Sequence, residues 1–413
     1  MKKYLLQISI LLPFSYGMLA QTSNSGVLYV SENTQFSTVS RFDNLSQGTF
    51  NNDGESFIYS DFNNDGVVDF YENTGITKFI GSDNQNISGT QVSYLFNVVF
   101  NNSSNANPFH LSGEINISGT TDFYEGIVDN DNFGGQITFN TNGNHINTSD
   151  VSHVDGPVNK FGDQEFTFPI GDGGYYRLAG ISAPENSSAF FKGKYYYESS
   201  NDLYSHELKS EDITEIDSQE YWIVESVSDG SVDGLITLSW STVTTPGILI
   251  EAAEQEALTI VRWDESSSMW VDEGGVVDID NQTITTATTN YGVFTLGRVK
   301  SESELPCSLI VYNYVSPNGD GKNDYFAIEK TDDTCARELT LQVFNRWGVK
   351  VYEMTNYGEN GHVFNGRSSG RLTVKDSDML PANTYYYILK YKYGSVADNK
   401  SHKKAGFLYL SDN

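Results

Sequence analysis

Cysteine is scarce in this chain: two in 413 residues, Cys307 and Cys335. Their spacing is not the Cys-x-x-Cys of a dithiol redox site. Cations are scarce as well, 25 Lys and Arg against 54 Asp and Glu, for a formal net charge of −29. Nucleic acid needs a basic footprint, so the balance argues against that class of partner. Past residue 20 no stretch reaches the ~18 apolar residues of a membrane-spanning helix, so the mature protein is expected to be soluble. Helical periodicity is missing except over residues 249–258, which allows one short helix. Catalytic signatures are missing too. The six histidines, His110, His145, His153, His206, His362 and His402, are scattered. None belongs to His-Glu-x-x-His, and there is neither a Gly-x-Ser-x-Gly elbow nor a phosphate-binding Gly-x-x-x-x-Gly-Lys-Ser/Thr loop. No carboxylate pair stands out by spacing, so a secreted polysaccharide-active hydrolase is kept only as the alternative function.

What the chain does have is Gly, Asn, Thr, Tyr and Val in short runs of alternating apolar and polar residues, the composition of an all-β protein. The first twenty residues read as a secretory signal peptide: Lys2 and Lys3, an apolar segment over residues 5–12, and Met18-Leu19-Ala20 before Gln21. Residues 301–413 are almost neutral, with 13 Lys and Arg against 14 Asp and Glu, so the acidity lies before them. A modular organisation follows. Residues 21–177 form an acidic β-rich region whose irregular Asn- and Gly-separated strands fit a solenoid or a sandwich. Residues 178–300 carry enough strands for an immunoglobulin-like β-sandwich. Residues 301–306 are a linker, and residues 307–413 a small C-terminal β-sandwich.

Two features of the acidic part invite a ligand. Residues 61–72 place Asp61, Asn63, Asp65, the Val67 carbonyl, Asp69 and Glu72 at every ligand position of an EF-hand-type loop, with Gly66 at the turn. The expected cofactor is structural calcium; a plain polar turn is the competing reading. Trp222, Trp240, Trp263 and Trp270 offer a carbohydrate-stacking platform, although Trp on strands more often packs in a core.

The last domain has three ordered motif blocks. The first supplies Pro317, Asn318, Gly319, Asp320, Gly321, Asn323, Asp324 and Phe326. The second supplies Phe344, Asn345, Arg346, Trp347, Gly348 and Tyr352, and the third Leu380, Pro381, Thr384, Tyr385 and Tyr387. This set resembles the gliding motility-associated C-terminal domain, the type B sorting domain of cargo of the type IX secretion system. Two departures are Asn383 before the Thr, where Gly is usual, and Phe364-Asn365-Gly366, where Trp is usual at the first position. The resemblance implies passage through the periplasm to the medium or the outer cell surface, an adhesin-like or gliding-related role, and handling by the type IX machinery. It also implies an outer-membrane partner of the PorP/SprF type; surface glycans or other adhesion ligands complete the expected partners. In that oxidising setting Cys307 and Cys335 are expected to form a disulfide, two buried thiols being the alternative. Asn318, Asp320 and Asp324 make a poorer second metal loop, since Ser316 and Ala327 stand where its first and last acids belong.

Overall fold

The structure, a computed structural model, describes residues 21–227, 233–301, 304–305, 309–330, 336–369, 379–393 and 400–411. Cys307 and Cys335 lie outside the described residues, and so does the disulfide expected of them.

The acidic region is a solenoid. Each rung contributes one strand to each of three parallel sheets until the coil narrows at its C-terminal end. In the first sheet Thr22–Asn24 is followed by Phe42–Asn44, Phe62–Asn64, Gln85–Ser88, Phe109–Leu111, Val128–Asp129, Val154–Asp155 and Ile170–Asp172. The strands are too short to stand alone. What holds them is the stacking of like residues inside the coil, each rung burying its apolar face on the next. Phe42 stacks on Phe62 at 5.8 Å, Phe79 on Phe100 at 5.6 Å and Phe100 on Phe123 at 5.6 Å, all fully buried.

Asparagine supplies the polar counterpart at the inner corner. Asn24, Asn44 and Asn64 are register partners. Asn24 Nδ2 donates to Asn44 Oδ1 and Asn44 Nδ2 to Asn64 Oδ1, both at 2.9 Å. Each amide also reaches a carbonyl on the neighbouring rung: Thr49 from Asn24, Val67 from Asn44 and Val92 from Asn64. The chain can thus turn a buried corner without leaving those carbonyls unpaired. Gly66 is required for the approach of rung to rung, because a Cβ there would lie 2.3 Å from the Gly48 carbonyl oxygen.

The second solenoid sheet does not stop at residue 177. Its last parallel strand, Val158–Phe161, pairs antiparallel with Phe190–Tyr196. The sheet then continues through Tyr221–Ser226, Gly292–Val299, Leu258–Asp264 and Met269–Gly274, thirteen strands in all. A five-stranded sheet of Phe166–Phe168, Ala179–Ile181, Gly234–Ser239, Thr283–Thr288 and Val276–Asp278 makes the other layer of a β-sandwich. Trp222, Ile236, Leu238, Ile260, Phe294 and Leu296 fill the space between them in one core with the solenoid. The short helix is Gly247–Glu254.

The C-terminal domain has a five-stranded sheet ordered Tyr314–Val315, Lys400–Leu410, Asn383–Tyr393, Arg337–Phe344, Lys350–Met354. A two-stranded ribbon, Leu309–Tyr312 with Ala327–Lys330, adds Val311 and Ile328 to its core. The inner strand Asn383–Tyr393 is apolar on both faces. Tyr385, Tyr387 and Leu389 enter the domain's own core. Tyr386 and Ile388 point the other way and join Phe344, Ala287, Leu235 and Val276 in a cluster shared with the middle sandwich. No described helix is long and apolar enough to cross a membrane.

Candidate functional site: the C-terminal motif blocks

Each motif block solves a local backbone problem. In the first, Gly319, Gly321 and Asn323 all adopt positive φ (78°, 84° and 54°), a conformation open to Gly and tolerated by Asn. Asp324 pins that path. One carboxylate oxygen accepts the Gly319 N–H at 2.7 Å, the other the Gly321 N–H at 2.8 Å. Asp320 accepts from Lys322 N–H at 2.8 Å, and Asn318 from Asp320 N–H at 3.1 Å. Phe326 then drops into the core beside Tyr387, ring centroids 5.1 Å apart. Asn318, Asp320 and Asp324 are thus brought together, with their oxygens engaged by the loop's own backbone.

The second block is the tip of the hairpin between Arg337–Phe344 and Lys350–Met354. Asn345 Oδ1 accepts the N–H groups of Trp347 at 3.0 Å and Val349 at 2.9 Å, closing an Asx turn. Gly348 takes φ 77°, and a Cβ on it would meet Gly234 backbone at 2.4 Å. Arg346 lies 4.4 Å over the ring of Trp347, which is 45% exposed. In the third block Leu380 is buried and its N–H bonds the Gly366 carbonyl, while the Tyr385 hydroxyl donates to the Pro381 carbonyl at 2.8 Å. A Cβ on Gly366 would lie 3.3 Å from Pro317, so the first and third blocks meet there.

The second and third blocks line one groove of about 660 Å³, with Arg346, Trp347, Val351, Leu380, Pro381 and Tyr385 on one side. The opposite wall is Asp163, Gln164, Ala183, Pro184 and Glu185, from the solenoid end and the middle sandwich. The two domains also touch through polar contacts. The Ser182 hydroxyl donates to the Trp347 carbonyl at 2.9 Å, and the Tyr386 hydroxyl to the Thr285 carbonyl at 3.2 Å. Lys403 pairs with Glu273 at 3.2 Å and bonds the Asp272 carbonyl. Sequence reading missed Phe344, Tyr386 and Ile388 as docking residues. The signal was present in residues 385–389, an unbroken apolar run where a strand with one wet face alternates.

These features define a secretion-signal domain carried behind an all-β cargo. Residues 309–410 match the family model described as the CHU_C Type IX secretion signal domain, consistent with a type B sorting domain. The chain is accordingly exported by the type IX secretion system to the cell surface or the medium. Curated proteins and solved structures give no match.

The structure places the residues of the calcium pattern on different faces. Phe62 and Asn64 point inward, so Asp61, Asn63 and Asp65 alternate outward on the first sheet; the chain then turns, and Val67 and Asp69 face outward on the second. Asp61 Oδ1 accepts from Asn86 N–H at 2.8 Å. Asp65 accepts from Asn63 Nδ2 and the Thr90 hydroxyl, both at 2.8 Å, and these bonds hold its pKa down. Glu72 sits farther on, its N–H bonded to Asp53. Among the described residues no group of three or more His, Cys, Asp or Glu is placed to hold a metal ion.

The four-Trp platform is not formed. Trp222, Trp240 and Trp270 are core residues, and only Trp263 is partly exposed. Two neighbouring carboxylates with raised pKa, Asp217 and Glu220, have no exposed surface. Glu220 accepts from the Tyr195 hydroxyl at 2.6 Å and the Thr245 hydroxyl at 2.5 Å, and Asp217 from Gln219 N–H at 2.8 Å. Burial raises the pKa of both, and the neighbouring Glu220 adds to the rise at Asp217. They read as a structural knot inside the sandwich.

Proposed function

We propose that the exported chain is a surface-displayed, adhesin-like binding protein whose solenoid and middle sandwich form one stiff projecting body. The observation that supports this is the thirteen-stranded sheet running unbroken from the first rung into the sandwich. Eight rungs at ~4.8 Å each make a rod of about 40 Å. A continuous hydrogen-bonded ladder resists bending, which suits a protein that must hold a binding face away from the C-terminal end that the export machinery handles. Retention at the outer membrane by a PorP/SprF-type protein belongs to this reading. The test compares cells carrying the full gene with a deletion strain, scoring attachment to polysaccharide-coated surfaces and gliding on agar. Deletion is expected to lower attachment. Unchanged attachment and gliding, with the protein shown at the surface of the parent, would remove the adhesin-like role. Release of sugar reducing ends by the purified chain would favour a hydrolase instead.

A further inference from the structure

The outer face of the middle sandwich is open along one line. Here the groove of about 960 Å³ lined by Tyr204, Ile223, Glu225, Trp263, Glu265 and Asn290 meets a smaller one of about 320 Å³. Ile223 and Glu225 belong to both, and Lys192, Lys194 and Tyr196 carry the second onward. The floor is the sheet itself: Lys192 is the register partner of Glu225, Lys194 of Ile223, and Ile223 of Val293.

Aromatic rings are set into this floor without being swallowed by it. Trp263 packs edge-on to Trp270 at 5.7 Å and against Tyr204 at 5.4 Å, yet stays partly exposed. Tyr196 lies flat on Tyr221, 4.5 Å apart at 3°, with its own outer side covered by Lys194 at 4.3 Å. Trp263 thus offers a supported aromatic surface.

Charge narrows the ligand. The chain carries −29, but the joined groove is nearly balanced, with Lys192, Lys194 and Arg262 against Asp131, Glu225, Asp264 and Glu265. Lys194 is paired with Asp131, and Arg262 with Asp264 and Glu273. Lys192, Glu225 and Glu265 form no ion pair among the described residues, so a donor and two acceptors remain at the rim. Such a surface attracts neither a polyanion nor a polycation. A peptide strand is poorly served too, because the groove crosses a sheet face whose backbone groups already pair with one another. A sugar chain fits: its C–H faces lie on aromatic rings, and its hydroxyls both donate and accept at the edges.

We infer that this groove binds a neutral oligosaccharide, stacked on Trp263 beside Tyr204 and hydrogen-bonded at its rim by Glu225 and Lys192. The inference rests on the display reading and names its ligand class. The test titrates the full exported chain, purified from culture, with neutral hexasaccharides of glucose, xylose, mannose, galactose and N-acetylglucosamine, and with oligogalacturonate as the acidic comparison. At least one neutral hexamer is expected to bind, changing tryptophan fluorescence. Trp263→Ala is expected to weaken binding about tenfold or more and to abolish the fluorescence change. Glu225→Gln, an exposed substitution that spares the fold, is expected to weaken it about fivefold. Either variant binding like the parent, or a preference for oligogalacturonate, or no neutral hexamer bound at millimolar concentration, overturns the inference. The two readings separate cleanly: lost sugar binding with attachment of cells unchanged leaves the display reading standing and removes the sugar as its ligand. Intact sugar binding in cells that do not attach does the opposite.

Discussion

Asp155 sits beneath neighbouring acids on the first solenoid sheet. Burial, then the charges of Asp172, Asp129 and Asp131, push its pKa up to about 7, while Lys194 opposes them. A carboxyl raised in the folded state contributes stability in full below its unfolded value of about 3.9, and that contribution is lost as pH rises through about 7. Asp155→Asn is therefore expected to raise the melting temperature more at pH 8 than at pH 5; an equal rise at both would mean the carboxyl does not titrate this way. Asp65 makes the opposite case. Its oxygens are already engaged by Asn63 and Thr90, so chelation with EGTA is expected to leave the melting temperature unchanged. A rise on adding calcium, lost in Asp65→Ala, would restore the loop expected from its sequence. At Gly348 two constraints coincide, a φ of 77° and the nearness of Gly234. Gly348→Ala is expected to cost about 1–2 kcal/mol through the backbone alone, and more through lost docking. Urea unfolding of the full chain against the variant measures it.

At the scale of elements the clearest unit is the inner-corner asparagine ladder. Asn44→Ala would leave the Asn64 amide oxygen and the Val67 carbonyl without the donor they now share, and Asn24 without its Asn44 acceptor. The Asn64 oxygen keeps the Gly66 N–H and Asn24 keeps the Thr49 carbonyl, so each bond removed costs about 0.5–1.5 kcal/mol, and the solenoid should melt clearly earlier than the parent. The ladder also explains what was legible in the sequence and what was not. Strands could be read from their period of two, and the all-β class from composition. The rungs could not, because only inward residues such as Phe42 and Phe62, or Asn44 and Asn64, recur, while corners of unequal length shift everything between them. The calcium pattern arises from the same cause. An Asn-Asp-Gly corner flanked by outward acids has the spacing of a loop that wraps one ion, and here the corner places those acids on two faces. The C-terminal blocks were legible because each encodes a turn fixed within a few residues: Asp324 on Gly319 and Gly321, and Asn345 on Trp347 and Val349. Docking onto the middle sandwich is long-range, and its only local trace is the unbroken apolar run at residues 385–389.

For the whole molecule, the decisive feature is that the secretion-signal domain is not free of its cargo. Phe344, Tyr386 and Ile388 share a buried apolar cluster with Leu235, Val276 and Ala287, and Lys403 pairs with Glu273 across the same boundary. The groove formed by the second and third motif blocks takes its far wall from residues 163–164 and 183–185. Removing residues 305–413 is thus expected to do two things. It strips the export signal, so residues 21–300 should accumulate in the periplasm. It also bares Leu235, Val276 and Ala287, so the truncated protein should be less stable than the same body in the full chain. Fusions behind a signal-peptide-bearing reporter separate the signal from its surroundings. Residues 158–413 keep the docked sandwich and both walls of the groove, and should carry the reporter out. Residues 305–413 alone expose Phe344 and Ile388 and lose one wall of the groove, and should do so less efficiently. If the short fusion is exported as well as the long one, the docked sandwich contributes nothing to recognition. If the truncated chain reaches the surface at the parental level, the signal lies elsewhere in the sequence.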